Sequence, residues 1–205
     1  MKKRIVLSLI TCALSLNLVA CGNGNINAES QKTAANSEES LDDSGPSGEF
    51  EVDEGLFNVK LTIPADYIGE TTQEELDEVC KKEGLKSIIL NDDGSATYTM
   101  TKKQHKALLE ELRENFNTTL NEMVGSEDYP NITSIEANDN FTEFKVTTKN
   151  TELDFAETFS IITFYFCGGM YNAYSGDEIE DISVTFVNSD SGEIIDTFNS
   201  SDIEQ

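Results

Sequence analysis

Between Lys86 and Phe198 the chain alternates short segments of period two with long segments of helical period, which narrows sharply what it can fold into. Lys86–Leu90 and Ser95–Met100 read as two strands around the turn Asn91-Asp92-Asp93-Gly94. Thr101 and Gln104 form a capping box that opens an amphipathic helix. Its apolar stripe holds Leu108, Leu109, Leu112, Phe116, Leu120 and Met123, and Gly125 ends it. The plan then repeats. Ile132–Ala137 and Phe141–Thr148 flank Asn138-Asp139-Asn140, and a third helix is expected from about Thr151 to Tyr174. At an offset of 47 residues, Leu112 falls on Phe159 and Met123 on Met170. Ile182–Val187 and Glu193–Phe198 make a last hairpin. Upstream, Phe57, Val59, Leu61 and Ile63 alternate with polar residues until Pro64. A second capping box, Thr72 with Glu75, starts a helix ending at Gly84. Hairpins interleaved with helices imply an α+β fold, a mostly antiparallel sheet built from repeated ββα units with helices packed on one face. Residues 56–205 are expected to form this single domain.

The N-terminus is of another kind. Lys2, Lys3 and Arg4 precede an apolar run from Ile5 to Leu18, too short and too near the terminus for a stable membrane span. It closes on Leu18-Val19-Ala20-Cys21. From Gly22 to about Gly55 follows an Asn-, Ser-, Gly- and Glu-rich stretch with few large apolar side chains, expected to be a disordered acidic tether.

An exported signal ending in a small residue and a cysteine resembles the lipobox of bacterial lipoproteins. The resemblance implies that residues 1–20 are a signal peptide cut before Cys21. It further implies a diacylglycerol on that thiol, with palmitate-type acyl chains, and an extracytoplasmic, membrane-anchored location. Ile63-Pro64-Ala65-Asp66-Tyr67, Gly125-Ser126-Glu127-Asp128-Tyr129-Pro130 and Phe166-Cys167-Gly168-Gly169-Met170-Tyr171 resemble segments of small surface lipoproteins of anaerobic Gram-positive bacteria. That second likeness supports the address and brings no catalytic residue with it.

Charge limits the partners. The whole chain carries 39 Asp and Glu against 14 Lys and Arg, and three of the basic residues lie before Cys21. Such a surface repels phosphate backbones, so nucleic acid is not expected as a partner. The same average predicts that the body stands off anionic lipid headgroups while the acyl chains enter the bilayer.

Catalytic patterns are few. The one histidine, His105, sits on or beside the buried stripe of its helix, without a G-x-S-x-G elbow elsewhere. No H-E-x-x-H, phosphate-binding loop or G-x-G-x-x-G occurs. Cys80 and Cys167 lie at helical spacing among apolar residues, favouring two buried thiols over a disulfide. Asn91-Asp92-Asp93-Gly94, Asn138-Asp139-Asn140 and Asp190-Ser191-Gly192-Glu193 gather oxygen ligands without the spacing of a calcium loop, and suit hairpin turns. Asp177-Glu178-Ile179-Glu180-Asp181 reads as a solvated loop. No metal, cofactor or catalytic set is expected.

The third helix is apolar all round, with Phe155, Phe159, Ile162, Phe166, Met170 and Tyr174 on one side and Ile161, Phe164, Tyr165 and Gly168 opposite. Core packing accounts for that. A protein-partner surface is the functional alternative, with Tyr165, Gly168, Gly169, Tyr171 and Tyr174 as candidates. Taken together, these features predict a non-catalytic, lipid-anchored binding or scaffolding module with a protein or cell-wall partner. A solute- or cation-binding lipoprotein, or a glycan hydrolase using paired carboxylates, are the alternatives.

Overall fold

The computed structural model describes residues 49–177 and 181–202. Cys21, the apolar start, the tether up to residue 48 and Glu178–Glu180 of the acidic loop lie outside the described residues.

The α+β expectation holds, with the strands divided between two four-stranded sheets. The first contains β1 (Glu51–Glu54), β2 (Asn58–Ile63), β3 (Ser87–Leu90) and β4 (Ala96–Thr101), ordered β1-β2-β4-β3 and antiparallel throughout. The second contains β5 (Ile132–Ala137), β6 (Glu143–Thr148), β7 (Ser183–Asn188) and β8 (Ile194–Asn199) in sequence order. There β6 and β7 are parallel, joined by the long helical crossover that a parallel pair requires. The helices are α1 (Ala65–Ile68), α2 (Gln73–Glu83), α3 (Lys102–Met123), α4 (Phe155–Phe159) and α5 (Ile161–Ser175).

One difference from the sequence reading lies at residues 51–54. Glu-Val-Asp-Glu was assigned to the tether, yet it forms an edge strand in register with Val59–Thr62. Composition hides it because only Val52 turns toward the core and the stabilising bonds come from β2. Just before it, Phe50 packs on Tyr67 and Tyr174, with ring centroids 4.8 and 5.5 Å apart. The hairpin-helix plan therefore runs three times before the last hairpin.

Both capping boxes form as expected, Thr72 with Glu75 and Thr101 with Gln104. Gly84 closes α2 in the left-handed region, where glycine pays no steric penalty. Gln73 has a role that no periodicity shows: its amide receives the Leu90 N–H and donates to the Ile88 carbonyl, both at 2.8 Å. The side chain thus covers part of the open edge of β3.

Each sheet buries one face. Val59, Leu61, Ile63, Tyr98 and Met100 from the first, and Phe144, Val146, Val184 and Phe186 from the second, join α3 and α5 in one continuous core. At its centre stands Phe141, buried, with a positive φ of 55° that costs a non-glycine residue about 1 kcal/mol. Its ring lies 5.6 Å from Phe116 of α3, 6.2 Å from Phe144 of β6 and 5.1 Å from Tyr171 of α5. Gly168 faces the Phe141 carbonyl so closely that an added Cβ would lie 2.4 Å from that oxygen. Phe141→Ala is expected to cost about 3–5 kcal/mol of stability in urea unfolding. A loss below about 1 kcal/mol would show that this ring is not the junction of the core.

Candidate functional site

The third helix of the sequence reading is two helices. Asp154 caps α4, accepting the Glu157 N–H at 2.9 Å, while the Glu157 carboxylate accepts the Asp154 N–H at 3.1 Å. The chain then turns at Ser160, whose hydroxyl donates to the Glu157 carbonyl at 2.6 Å, and α5 begins. Glu157 is only 1% exposed. Its carboxylate also accepts from the Thr148 hydroxyl at the end of β6 and from the Asn150 amide at 3.0 Å. Asn188, buried at the end of β7, donates to the Asn150 carbonyl at 2.9 Å. A carboxylate this deep must be satisfied by donors, and here Thr148 of β6 and Asn150 just after it supply two of the three, so the network fixes α4 to the second sheet.

The pinned orientation turns three apolar side chains outward. Phe155 is 84% exposed, Phe159 58% and Ile162 59%. The two rings are stacked with centroids 6.0 Å apart and planes at 17°. Among the described residues these are three of the seven large apolar side chains left exposed. Sequence spacing had placed them on the same side as Phe166, Met170 and Tyr174, which turn inward or half inward. The break at Ser160 separates Phe155 and Phe159 from the inward group, while Ile162 lies in the first turn of α5. The Asp154-x-x-Glu157 capping box was the available signal that helix begins at Phe155 and not near Thr151; no side-chain cap marks the break at Ser160 itself.

Exposed Glu152 and Asp154 border this face, and Lys149 is the last basic residue of the chain. The surface can therefore seat apolar groups within an acidic surround. It presents no nucleophile paired with a base.

The expected partner surface needs correction. Gly168, Tyr171 and Tyr174 are buried within the chain. Tyr171 accepts a 2.7 Å hydrogen bond from the Arg113 guanidinium, which also lies 5.4 Å over its ring. Burial pushes the Tyr174 phenol up to about 12. The close backbone approach at Gly168 is made by Phe141 of the same chain. Tyr165 is half-buried, its phenol raised first by burial and then by Asp181 and Asp202. Gly169 is the one candidate with open space beside it.

The other chemical candidates have structural duties. His105 is buried, with Nε2 2.8 Å from the Tyr174 carbonyl, linking α3 to the last turn of α5. Cys80 and Cys167 are free thiols; burial pushes Cys167 up to about 12, and the Cys80 thiol donates to the Leu85 carbonyl at 3.4 Å. In the turns, Asp93 accepts from the Ser95 hydroxyl and N–H, Asn138 from the Thr142 and Glu143 N–H groups, and Asn188 from Asp190, Ser191 and the Ser191 hydroxyl. Their oxygens are engaged by their own turns. Among the described residues no three His, Cys, Asp or Glu side chains gather as a metal set. A shallow groove of about 790 Å³ crosses the outer face of the second sheet, with Lys145 between Glu136 and Glu143 and Thr185 beyond.

Glu157→Ala is expected to cost about 3 kcal/mol, because it strands the donors of Thr148, Asn150 and Asp154. Chemical denaturation measures the loss. A change under about 0.5 kcal/mol would mean that α4 is not held by this carboxylate.

No family model matches the chain, and neither a curated protein nor a solved structure matches it.

Proposed function

We propose that the chain is a non-catalytic binding or scaffolding module, anchored outside the cytoplasm by lipid on Cys21, whose protein partner seats on Phe155, Phe159 and Ile162. The observation that carries this reading is the pairing of an exposed aromatic face with a buried network that holds it rigid. Interfaces favour large side chains presented without ordering cost, and stacked phenylalanines on a fixed helix meet that requirement. With no basic residue from Asn150 onward and Glu152 and Asp154 at the border, the complementary partner offers apolar side chains among lysines and arginines. The address rests on the Leu18-Val19-Ala20-Cys21 sequence. A solute-binding role would use the groove beside Lys145 and would show as a ligand-dependent rise in melting temperature.

Two measurements test this reading. Crosslinking from intact cells should capture one dominant partner that is lost with Phe155→Asp or Phe159→Asp, both at exposed positions that leave the fold intact. Capture unaffected by both substitutions removes this face from the proposal. Separately, Cys21→Ala should abolish incorporation of labelled palmitate and release the precursor from lipid processing, which membrane fractionation would show as a change. A mutant that still carries the label overturns the lipidation reading.

A further inference from the structure

The chain's net charge is strongly negative, but its basic residues are not scattered. Lys102, Lys103 and Lys106 open α3, all exposed. Lys81 and Lys82 close α2, whose C-cap Gly84 accepts a 3.0 Å hydrogen bond from Gln104 in the first turn of α3. Lys86 donates its backbone N–H to Thr99, and exposed Lys60 stands opposite Thr99 on β2. Seven of the ten basic residues among the described ones therefore gather at one end of the first sheet. The acids facing them are Asp53, opposite Lys60, Glu78 one turn before Lys81 and Lys82, Glu110 one turn after Lys106, and two that are already engaged. Glu54 is ion-paired with Lys102 at 3.0 Å, and nearly buried Glu83 lies 3.7 Å from the Lys82 ammonium. The end remains positive.

Two further observations mark the place. The tip of the β1–β2 hairpin, between Glu54 and Asn58, is Leu56-Phe57, 89% and 79% exposed. Asn58 pairs with Thr101, the N-cap of α3, so this apolar tip lies among the lysines. Moreover, α3 has no acidic residue in its first turn. A helix N-terminus favours anions, so lysines there oppose the helix dipole. Such a local cost marks a surface kept for something other than stability.

We propose that this end docks on an anionic lipid bilayer, the lysines facing headgroups and Leu56 and Phe57 entering the acyl boundary. A polyanion would satisfy the lysines but offers no apolar layer for the tip, whereas a bilayer satisfies both. The average charge that predicted repulsion applies to the rest of the surface and orients the body with this end down. The partner face lies elsewhere. Thr148, which holds α4, pairs with Ile132, and Ile132 accepts from Gly125 at the far end of α3. The two surfaces are thus set at opposite ends of a 22-residue helix, about 33 Å long.

The chain contains no tryptophan, so Phe57→Trp installs a single reporter at the tip. The chain from residue 21 onward is used with Cys21→Ala, so that neither the apolar start nor an acyl group contributes, and Phe155→Trp serves as the reporter at the opposite end. On phosphatidylglycerol vesicles, Phe57→Trp emission should shift to the blue and be quenched by brominated acyl chains. Phosphatidylcholine vesicles should leave it unchanged, as should Phe155→Trp on either lipid. Replacing Lys102, Lys103 or Lys106 by Gln should weaken the lipid dependence of the shift about fivefold per lysine. Water-like emission from Phe57→Trp on anionic vesicles overturns the proposal. An equal response at Phe155→Trp does so too, as does a shift reproduced by soluble polyphosphate. The assay contains neither protein partner nor acyl group, so its failure leaves the α4 reading standing and the reverse also holds.

Discussion

The backbone of Phe141 is the constraint on which the rest of the fold turns. A left-handed phenylalanine is costly, and here the ring it aims inward touches α3, β6 and α5 together. No strand pairs across the two sheets, and α3 and α5, which this ring touches, carry the core from one to the other. The same turn brings the Phe141 carbonyl against Gly168 and the Asn140 carbonyl to the Asn172 amide at 2.7 Å. Arg113 donates to the Asp139 carbonyl at 3.2 Å from the other side. A three-residue turn therefore adds to the His105 and Arg113 bonds that already tie α3 to α5.

Polar burial does the complementary work at the periphery of the core. Glu157, Asn172, Asn188, His105 and Thr148 are all almost fully enclosed, and each spans two elements with its hydrogen bonds. Apolar contacts tolerate sliding, whereas a buried carboxylate accepts only arrangements that keep its donors. This explains how α4 can leave two phenylalanines in solvent without turning them inward. Reorienting α4 to cover the rings would cost Glu157 its partners, which opposes that gain.

Much of the fold was legible in the sequence because its signals are local. Thr72, Thr101 and the Asn-Asp turns name their own elements, and period-two runs such as Val59-Leu61-Ile63 mark a buried face. What was not legible depends on distant partners. Glu51–Glu54 is a strand only because β2 lies beside it, and the parallel choice of β6 and β7 is made by the crossover and not by either strand. The surface candidates failed for a related reason. Tyr171 and Tyr174 have the chemistry of an interface, but Arg113 and Phe50 cover them from other parts of the chain. Net charge, as an average, conceals the gathering of lysines around the first turn of α3.

Each sheet is drawn from its own stretch of chain, residues 51–101 for one and 132–199 for the other, with α3 between. For a chain that emerges N-terminus first, this sets an order of assembly. The first sheet can complete every strand pairing while the second is still unmade, since its closures span at most a few tens of residues. α3 can cover part of its inner face at once, but Phe50 and Val52 wait for α5, because Tyr174 and Gly176 reach them only from the far end of the crossover. In that interval the acids of β1 and the Gln73 amide on β3 guard the two edges against pairing with a neighbouring chain. The charged first strand is thus a safeguard of the nascent protein as much as a part of the finished one.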